Sequence, residues 1–419
     1  MSELLDWVTA RDRVIDAVSP LPAVRRPVTE ALGLALAEPV TSPEDMPPFA
    51  HSAMDGFAVR SADTEGASEG SPVVLPVTET IAAAPGRPAR LAAGSAARIM
   101  TGGAIPEGAD AVVPVEHTQF WDPATARSRR PGPGDTTVSI RRSASAGAHI
   151  RPAGESVRQG DRILDAGRRL TSADLGLLIS VGVVGVNVHP LPRVGVFSTG
   201  DELVPPGAPL GPGQIRDSNR PALLARLAEW GFPTLDLGTL PDAETVLTER
   251  LRAAAPKVDF LLTSGGVSVG DFDLTRDVLA KLGQVTSYRV AVKPGKPQLF
   301  GSVLGAWVFG LPGNPVSSLV VFDQFVLPAL LRLAGRTQIL PPVFEAVWNG
   351  TLARKPGRTE FVRVHLKPES GRWTATPTGP QGSGILRSMS LANGYAVIPG
   401  ETASLEPGAS VNCQLMRWD

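Results

Sequence analysis

The chain has 419 residues, a formal net charge of −1 and 42% hydrophobic residues, with a single cysteine, Cys413. That length suits about two to four domains with real cores, and the apolar content excludes wholesale disorder. The near-neutral charge argues against a nucleic-acid-coating protein, and one cysteine excludes an intramolecular disulfide or a CxxC knuckle and suits a reducing cytoplasm.

Leu4, Leu5, Val8, Ile15 and Val18 fall mostly on one helical face, which predicts an amphipathic helix over 2–18. Glu3, Asp6 and Asp12 stand where a secretory leader would be basic and then apolar, so no leader is expected. A second helix is predicted at about 29–37. Residues 1–42 and 151–176 together read as a helical region. Between them, 43–150 carries the short runs GFAV, SPVVLPV, AARIMTG, DAVVPVE and TTVSI, split by Gly and Pro. These predict a small inserted β domain, with the polar stretch WDPATARSRRPGPGD (121–135) as a mobile hairpin tip.

From 177 to 335 strands and helices alternate. RVGVFS, PTLDLG, VDFLLTS and GAWVF read as strands, and DSNRPALLARLAEWG, ETVLTERLRAAA and LTRDVLAKLG as helices. This rhythm predicts a doubly wound, mostly parallel α/β domain with helices on both faces. The apolar stretch Val316 to Leu333 is interrupted by Asp323, Gln324, Pro328 and Arg332, so it reads as a buried helix and no membrane span is expected. Over 336–419 the runs VFEAVW, EFVRVHL, RWTATPT, GYAVIP and SVNCQLM predict a C-terminal β domain.

Ligands of doubly wound sheets bind at the carboxyl ends of the strands. Three loops there are polar and glycine-rich: STGDEL (198–203), TSGGVSVGDFD (263–273) and GLPGNP (310–315). Glycine lets backbone N–H groups approach an anion, and a following helix N-terminus adds a favourable dipole. Asp201, Glu202, Asp242, Asp271 and Asp273 would repel a bare phosphate, but Mg²⁺ takes oxygens from carboxylates and phosphates together. Asp242 and Asp273 also read as plain helix N-caps. In YRVAVKPGKPQLF, Lys293 and Lys296 could face one oxyanion, or simply be solvated. In the inserted domain, HSAMDGFAVR and TGGAIPEGAD read locally as turns entering strands. A GxSxG elbow, a P-loop and a GxGxxG loop are absent, which argues against hydrolase, NTPase and NAD-type chemistry.

The ordered blocks SAMDGFAVR, RIMTGGAIPEGADAVV, RPAGES, STGDEL, GQIRDSN, TSGGVSVGDFD, AVKPGKP, GLPGNPVSS and QGSGILRSMSLANG span essentially the whole chain and resemble the MoeA family, molybdopterin molybdenumtransferases similar to the E domain of gephyrin. The resemblance implies insertion of molybdate into adenylylated molybdopterin, Mg²⁺-dependent release of AMP, and a cytoplasmic homodimer whose sites are shared between subunits. It also raises docking of a separate molybdopterin adenylyltransferase. It makes Asp55, Thr101, Glu202, Asp242 and Asp273 catalytic, and Glu202, Asp242 and Asp273 metal ligands. Arg151, Ser264, Gly265, Gly266, Ser268, Lys293, Lys296, Pro312, Pro315, Arg363 and Ser383 would bind substrate. The apolar face of the N-terminal helix is then expected at or near the dimer contact.

Two positions depart from the family pattern. Ser156 stands where an acid is usual, so a carboxylate role there is lost, and Gly103 stands where Ala is usual. Two rival readings are the preceding adenylyl transfer to molybdopterin and a non-catalytic gephyrin-like scaffold. The loop SGGVSVG in place of a GGTG type, and the flanking β domains, favour insertion over the first; the intact acids and lysines disfavour the second.

Overall fold

The computed structural model describes residues 4–129, 134–205, 207–266, 274–369 and 371–418. The α/β domain is organised by strands whose residues are all buried, as expected where helices cover both faces. Val194–Thr199 and Phe260–Ser264 are such strands. The six-stranded sheet runs in the order Thr234–Leu240, Val194–Thr199, Phe260–Ser264, Ala306–Leu311, Pro297–Val303, Gly283–Arg289. The first four run parallel, Pro297–Val303 runs against them, and Gly283–Arg289, antiparallel to it, runs in their direction again.

One face of this sheet receives Leu223 and Leu227 of the helix Asn219–Glu229 and Val316 and Val320 of the helix starting at Pro315. Leu247, Leu251, Val278 and Leu279 from the helices Glu244–Ala254 and Leu274–Leu282 belong to a separate core cluster. The predicted strands and helices of 177–335 are all present. The two strands at this sheet edge are an addition: Pro297–Val303 joins Ala306–Leu311 through a two-residue turn, Leu304 (φ 52°) and Gly305 (φ 89°), between Val303 and Ala306. Positive φ at both positions is the hairpin signature, but Leu is a rare choice for it, so the sequence does not announce the turn.

Pro315–Leu333 is long and apolar enough to cross a membrane, yet 89% of its window is buried inside the fold, so it is a core helix. Its middle, Phe322–Val326, is a π turn. Asp323 there, 5% exposed, accepts Arg226 Nε and Nη2 at 2.9 and 2.7 Å and Tyr395 Oη at 2.7 Å. This is how a carboxylate survives in an apolar helix: two charge-assisted bonds and a phenol satisfy it.

The inserted domain holds a five-stranded sheet in the order Thr137–Ile140, Val73–Ile81, Ala96–Ile99, Gly56–Val59, Ala111–Pro114, as the β runs predicted. Trp121–Asp122 and Arg127–Ser128 pair as a short hairpin in the polar stretch. In the C-terminal domain, Thr359–Glu369, Arg372–Pro377, Val343–Trp348, Ser410–Leu415 and Gly394–Ile398 pair in turn, and the last pairs back to the first. Closure leaves this small barrel no free sheet edge among those five. Cys413 lies inside it, fully buried, and burial pushes its thiol up to about 12.

The region flanking the insertion differs from expectation. The helix predicted at 29–37 is a 3₁₀ turn, Val28–Glu30, followed by the strand Ala35–Leu36. That strand and Val24–Pro27 flank Gly185–His189 in a three-stranded sheet, so pairing to a distant strand overrides local helix propensity. The first helix, Trp7–Ala17, begins at an N-cap, Asp6, whose carboxylate accepts from the Val8 and Thr9 amides. Its Ala10 and Val14, with Val18, join the α/β core of the same chain, whereas Val8 is 37% exposed. The expected burial of that face at a dimer contact is therefore corrected: its own chain buries most of it.

Candidate active site

Chain order reverses between Val194–Thr199 and Phe260–Ser264, so their carboxyl ends open the crevice of the doubly wound sheet. A cleft of about 150 Å³ lies there, lined by Ser198, Thr199, Glu202, Ser264, Gly265 and Pro315 among others. Asp217, 3% exposed, also lines it. Its carboxylate accepts Ser198 Oγ at 2.7 Å, Thr239 Oγ1 at 3.1 Å, Arg220 Nε at 3.1 Å and the Arg220 amide at 3.2 Å. One buried acid thus ties two strand ends to the first turn of the next helix.

Asn219 donates to Ser264 Oγ at 2.8 Å and to the Gly313 carbonyl at 2.7 Å, joining two of the three glycine loops; its buried Oδ1 has no partner among the described residues. Gly265 and Gly266 have φ +92° and +65°, and a Cβ on Gly266 would lie 2.4 Å from Thr275 Oγ1. Only glycine fits that turn. Pro312 is buried and Pro315 opens the core helix beside Asn314. Ser268, Asp271 and Asp273 lie outside the described residues.

The acids gather partly. Glu202 lines the cleft. Asp201 Oδ1 accepts the Asp242 amide at 3.3 Å, linking two strand-end loops. Asp242 is not the N-cap of the helix Glu244–Ala254; Ala243 holds that position without a side-chain bond. Among the described residues no three His, Cys, Asp or Glu form a metal-holding group.

Beyond Pro315 the cleft meets the C-terminal barrel. The Val316 amide donates to the Ser383 carbonyl at 3.1 Å, which seats the 382–383 turn on the start of the core helix. Arg363, 0% exposed, reaches this turn: Nη2 donates to the Gly382 carbonyl at 3.2 Å and Nε to Ser388 Oγ at 3.1 Å. Its Nη1 is buried with no acceptor among the described residues. Burial lowers the Arg363 pKa below its ordinary value, with Tyr395 and Glu360 opposing. Lys293 Nζ is paired with the buried Glu360 at 2.8 Å, which also faces Arg354 Nε at 3.2 Å. Lys296 is half-buried, and its carbonyl accepts the Val290 amide at 2.9 Å.

The remaining predicted residues stay in or beside the inserted domain and do not line the cleft. Asp55 Oδ1 accepts the Thr101 amide at 2.7 Å and its hydroxyl at 2.8 Å. Those bonds, the backbone one first, hold the Asp55 carboxyl below the usual carboxylate range. A group depressed in this way stabilises the fold above its unfolded pKa and loses that contribution as pH falls through its folded pKa. Thr101→Val removes the hydroxyl bond and keeps the amide one, so the Asp55 midpoint in a ¹³C NMR titration should rise while staying below the usual value. An unchanged midpoint would show the hydroxyl bond to be irrelevant to the charge. Arg151, exposed, pairs opposite His51 in a two-stranded ribbon beside this turn.

Asp217 and Asn219 were visible in GQIRDSN only as a helix start, and Glu360 only as a charge inside the apolar run EFVRVHL. The useful signal was there: an acid within an otherwise buried strand needs a partner.

A doubly wound domain with a polar cleft at its switch point, a buried arginine at the cleft's far edge and two accessory β domains is the architecture of an anion-handling α/β protein. Family models agree with this layout: the MoeA N-terminal region (domain I and II) matches 5–182, a probable molybdopterin binding domain matches 195–332, and the MoeA C-terminal region (domain IV) matches 346–416. The chain is 38% identical to a molybdopterin molybdenumtransferase from Haemophilus influenzae, over 92% of each chain. It is 38% identical to molybdopterin molybdenumtransferase 2 of Mycobacterium tuberculosis, over 94% of each. A crystal structure of a molybdopterin biosynthesis MoeA protein from Pyrococcus horikoshii OT3 superposes with a TM-score of 0.80 at 28% identity, covering 99% of this chain and all of that one. The chain belongs to the MoeA family.

Proposed function

We propose that this transferase inserts molybdate into adenylylated molybdopterin and releases AMP, giving molybdenum cofactor. The observation that carries the reading is Arg363, a buried guanidinium whose Nη1 lacks an acceptor among the described residues, held beside Ser383 at the edge of a glycine-lined cleft. A buried cation missing an acceptor is compensated by an oxyanion, and molybdate is one. Ser383 and Lys296 would supply further donors. Lys293 supports the site mainly through its pair with Glu360.

The pyrophosphate-linked AMP moiety belongs in the cleft, where the Gly265–Gly266 backbone can approach closely and Asn219 Oδ1 offers an acceptor to a substrate hydroxyl or amine. In the reaction water adds at phosphorus as the phosphoanhydride breaks and AMP leaves, while Mo–S bonds to the dithiolene replace Mo–O bonds and the displaced oxygen departs as water with the thiol protons. The donor chemistry fits Mg²⁺, which is held by one or two carboxylates together with substrate phosphates. Glu202 in the cleft, Asp242 and Asp273 would hold it, and it would neutralise charge on the phosphates. A cytoplasmic setting, and docking of the adenylyltransferase that supplies the substrate, are part of the same proposal.

Asp55, Thr101 and Arg151 do not line this chain's cleft, so they serve the cleft of a second copy in a homodimer. The test is reconstitution with purified adenylylated molybdopterin, molybdate and Mg²⁺, measuring AMP and cofactor. Glu202→Ala and Asp55→Ala should each lose about 10²-fold or more in rate with the fold intact, since exposed loop acids contribute little stability. Mixed dimers of the two variants should regain activity. Full activity in Glu202→Ala would remove the metal role; no recovery after verified subunit exchange would place each site within one chain. Conversion of molybdopterin and ATP to the adenylylated form would instead favour the preceding step.

A further inference from the structure

A separate cleft of about 410 Å³ lies where the region after the insertion meets the chain leaving the core helix. Two left-handed glycine turns lock together to form it: Gly167 at φ +77° and Gly335 at φ +73°. The Gly167 carbonyl accepts the Thr337 amide at 3.1 Å, and a Cβ on Gly167 would sit 2.3 Å from Thr337 Cγ2. A Cβ on Gly335 would strike the His189 ring at 2.1 Å. The turn backbones are thus fixed before any ligand arrives.

Three guanidinium side chains, Arg168, Arg169 and Arg336, line this cleft against one acid, Asp165. Asp165 is already paired with Arg162 at 2.6 Å. Arg336 is 6% exposed, a cation buried in the wall. Arg168 is oriented by bonds of 3.1 and 2.9 Å to Asp174, whose other oxygen accepts the Thr171 amide and hydroxyl. Trp418 completes the lining, edge-on to Trp230 with ring centroids 5.3 Å apart.

We propose that this cleft binds a phosphate-bearing small molecule, at a site distinct from the switch-point cleft. Guanidinium forks match phosphate oxygens bidentately. The volume falls within the usual range for small-ligand pockets, well above the needs of a bare phosphate, and Trp418 offers an indole to a ring on the ligand.

The test titrates the intact protein calorimetrically with AMP and, separately, with inorganic pyrophosphate, in the wild type and in Arg169→Ala. Arg169 is exposed, so its loss should leave the fold intact; Arg336→Lys, which keeps the buried charge, is the second variant. Binding should weaken about tenfold or more in Arg169→Ala, in line with loss of a charge-assisted bond, and should fall with added salt. Tighter AMP than pyrophosphate makes a nucleoside phosphate the ligand, and equal affinities make the phosphate group alone the determinant. Absence of binding by both probes at millimolar concentration overturns the proposal. So does binding unchanged in both variants, which would assign all of it to the switch-point cleft.

Discussion

Replacing Arg363 by Met should lower molybdate-dependent AMP release by about 10²-fold or more while leaving thermal stability unchanged or raised. The two signs separate because, among the described residues, Arg363 is a buried charge whose side chain is held by two hydrogen bonds, with Nη1 lacking an acceptor. An apolar side chain of similar length relieves that desolvation, as apolar replacement of buried ions often does. A residue kept at a cost to the empty fold is kept for what it binds. Raising molybdate should partly rescue Arg363→Lys, which keeps charge and loses the fork, but not Arg363→Met. The check is AMP release against molybdate concentration, alongside a melting curve. Lower stability with full activity would make Arg363 a purely structural residue.

Asp217→Ala should be the most damaging change to the α/β fold near the cleft, costing about 3–5 kcal/mol in urea unfolding. Its carboxylate accepts from Ser198, Thr239 and Arg220, and the Arg220 side chain is 13% exposed. Arg220 Nη1 also donates to Asp236 at 2.5–2.6 Å, so removing the Asp217 carboxylate leaves two hydroxyls without this acceptor and a nearly buried guanidinium with Asp236 as its acid partner among the described residues. Asp217→Asn keeps the shape and some acceptor capacity, so its loss should be smaller. A cost below about 1 kcal/mol, the value of an exposed pair, would mean that water takes over the network.

Alternation of apolar runs with loops was sufficient to place the α/β domain, because strands buried on both faces read as continuous apolar runs and helices show their own spacing. The β runs of the inserted and C-terminal domains were equally plain. Local pattern failed where a distant partner decides. Ala35–Leu36 becomes a strand only because Gly185–His189 lies beside it, some 150 residues later. The hairpin of Pro297–Val303 with Ala306–Leu311 turns through Leu304, a residue that seldom marks such a turn. At the site, glycines and acids on strand ends were legible as a ligand surface, since side chains of that kind have no business in a core. The pairing of Lys293 with Glu360 was not, because the two are separated in sequence and meet only through the parallel bridge of Val292–Lys293 with the strand Thr359–Glu369.

The π turn of the core helix fixes an angular phase. A π turn accommodates one residue more than an α turn, and in an α-helix each residue advances about 100° around the axis. Upstream, Pro315 and Val316 face the cleft and the Ser383 turn; within the wide turn, Asp323 meets Arg226 and Tyr395; downstream, the Leu333 carbonyl accepts the Leu21 amide at 2.8 Å. Deleting one residue from 322–326 would shorten the helix by only about 1.5 Å, yet would rotate one end against the other by that full step. Either the cleft end or the Leu21 end would then present the wrong residues. The helix therefore works as a keyed shaft: its length is forgiving, its rotation is not, and the orientation of the cleft relative to the segment after the N-terminal helix is stored in five residues that do not line it.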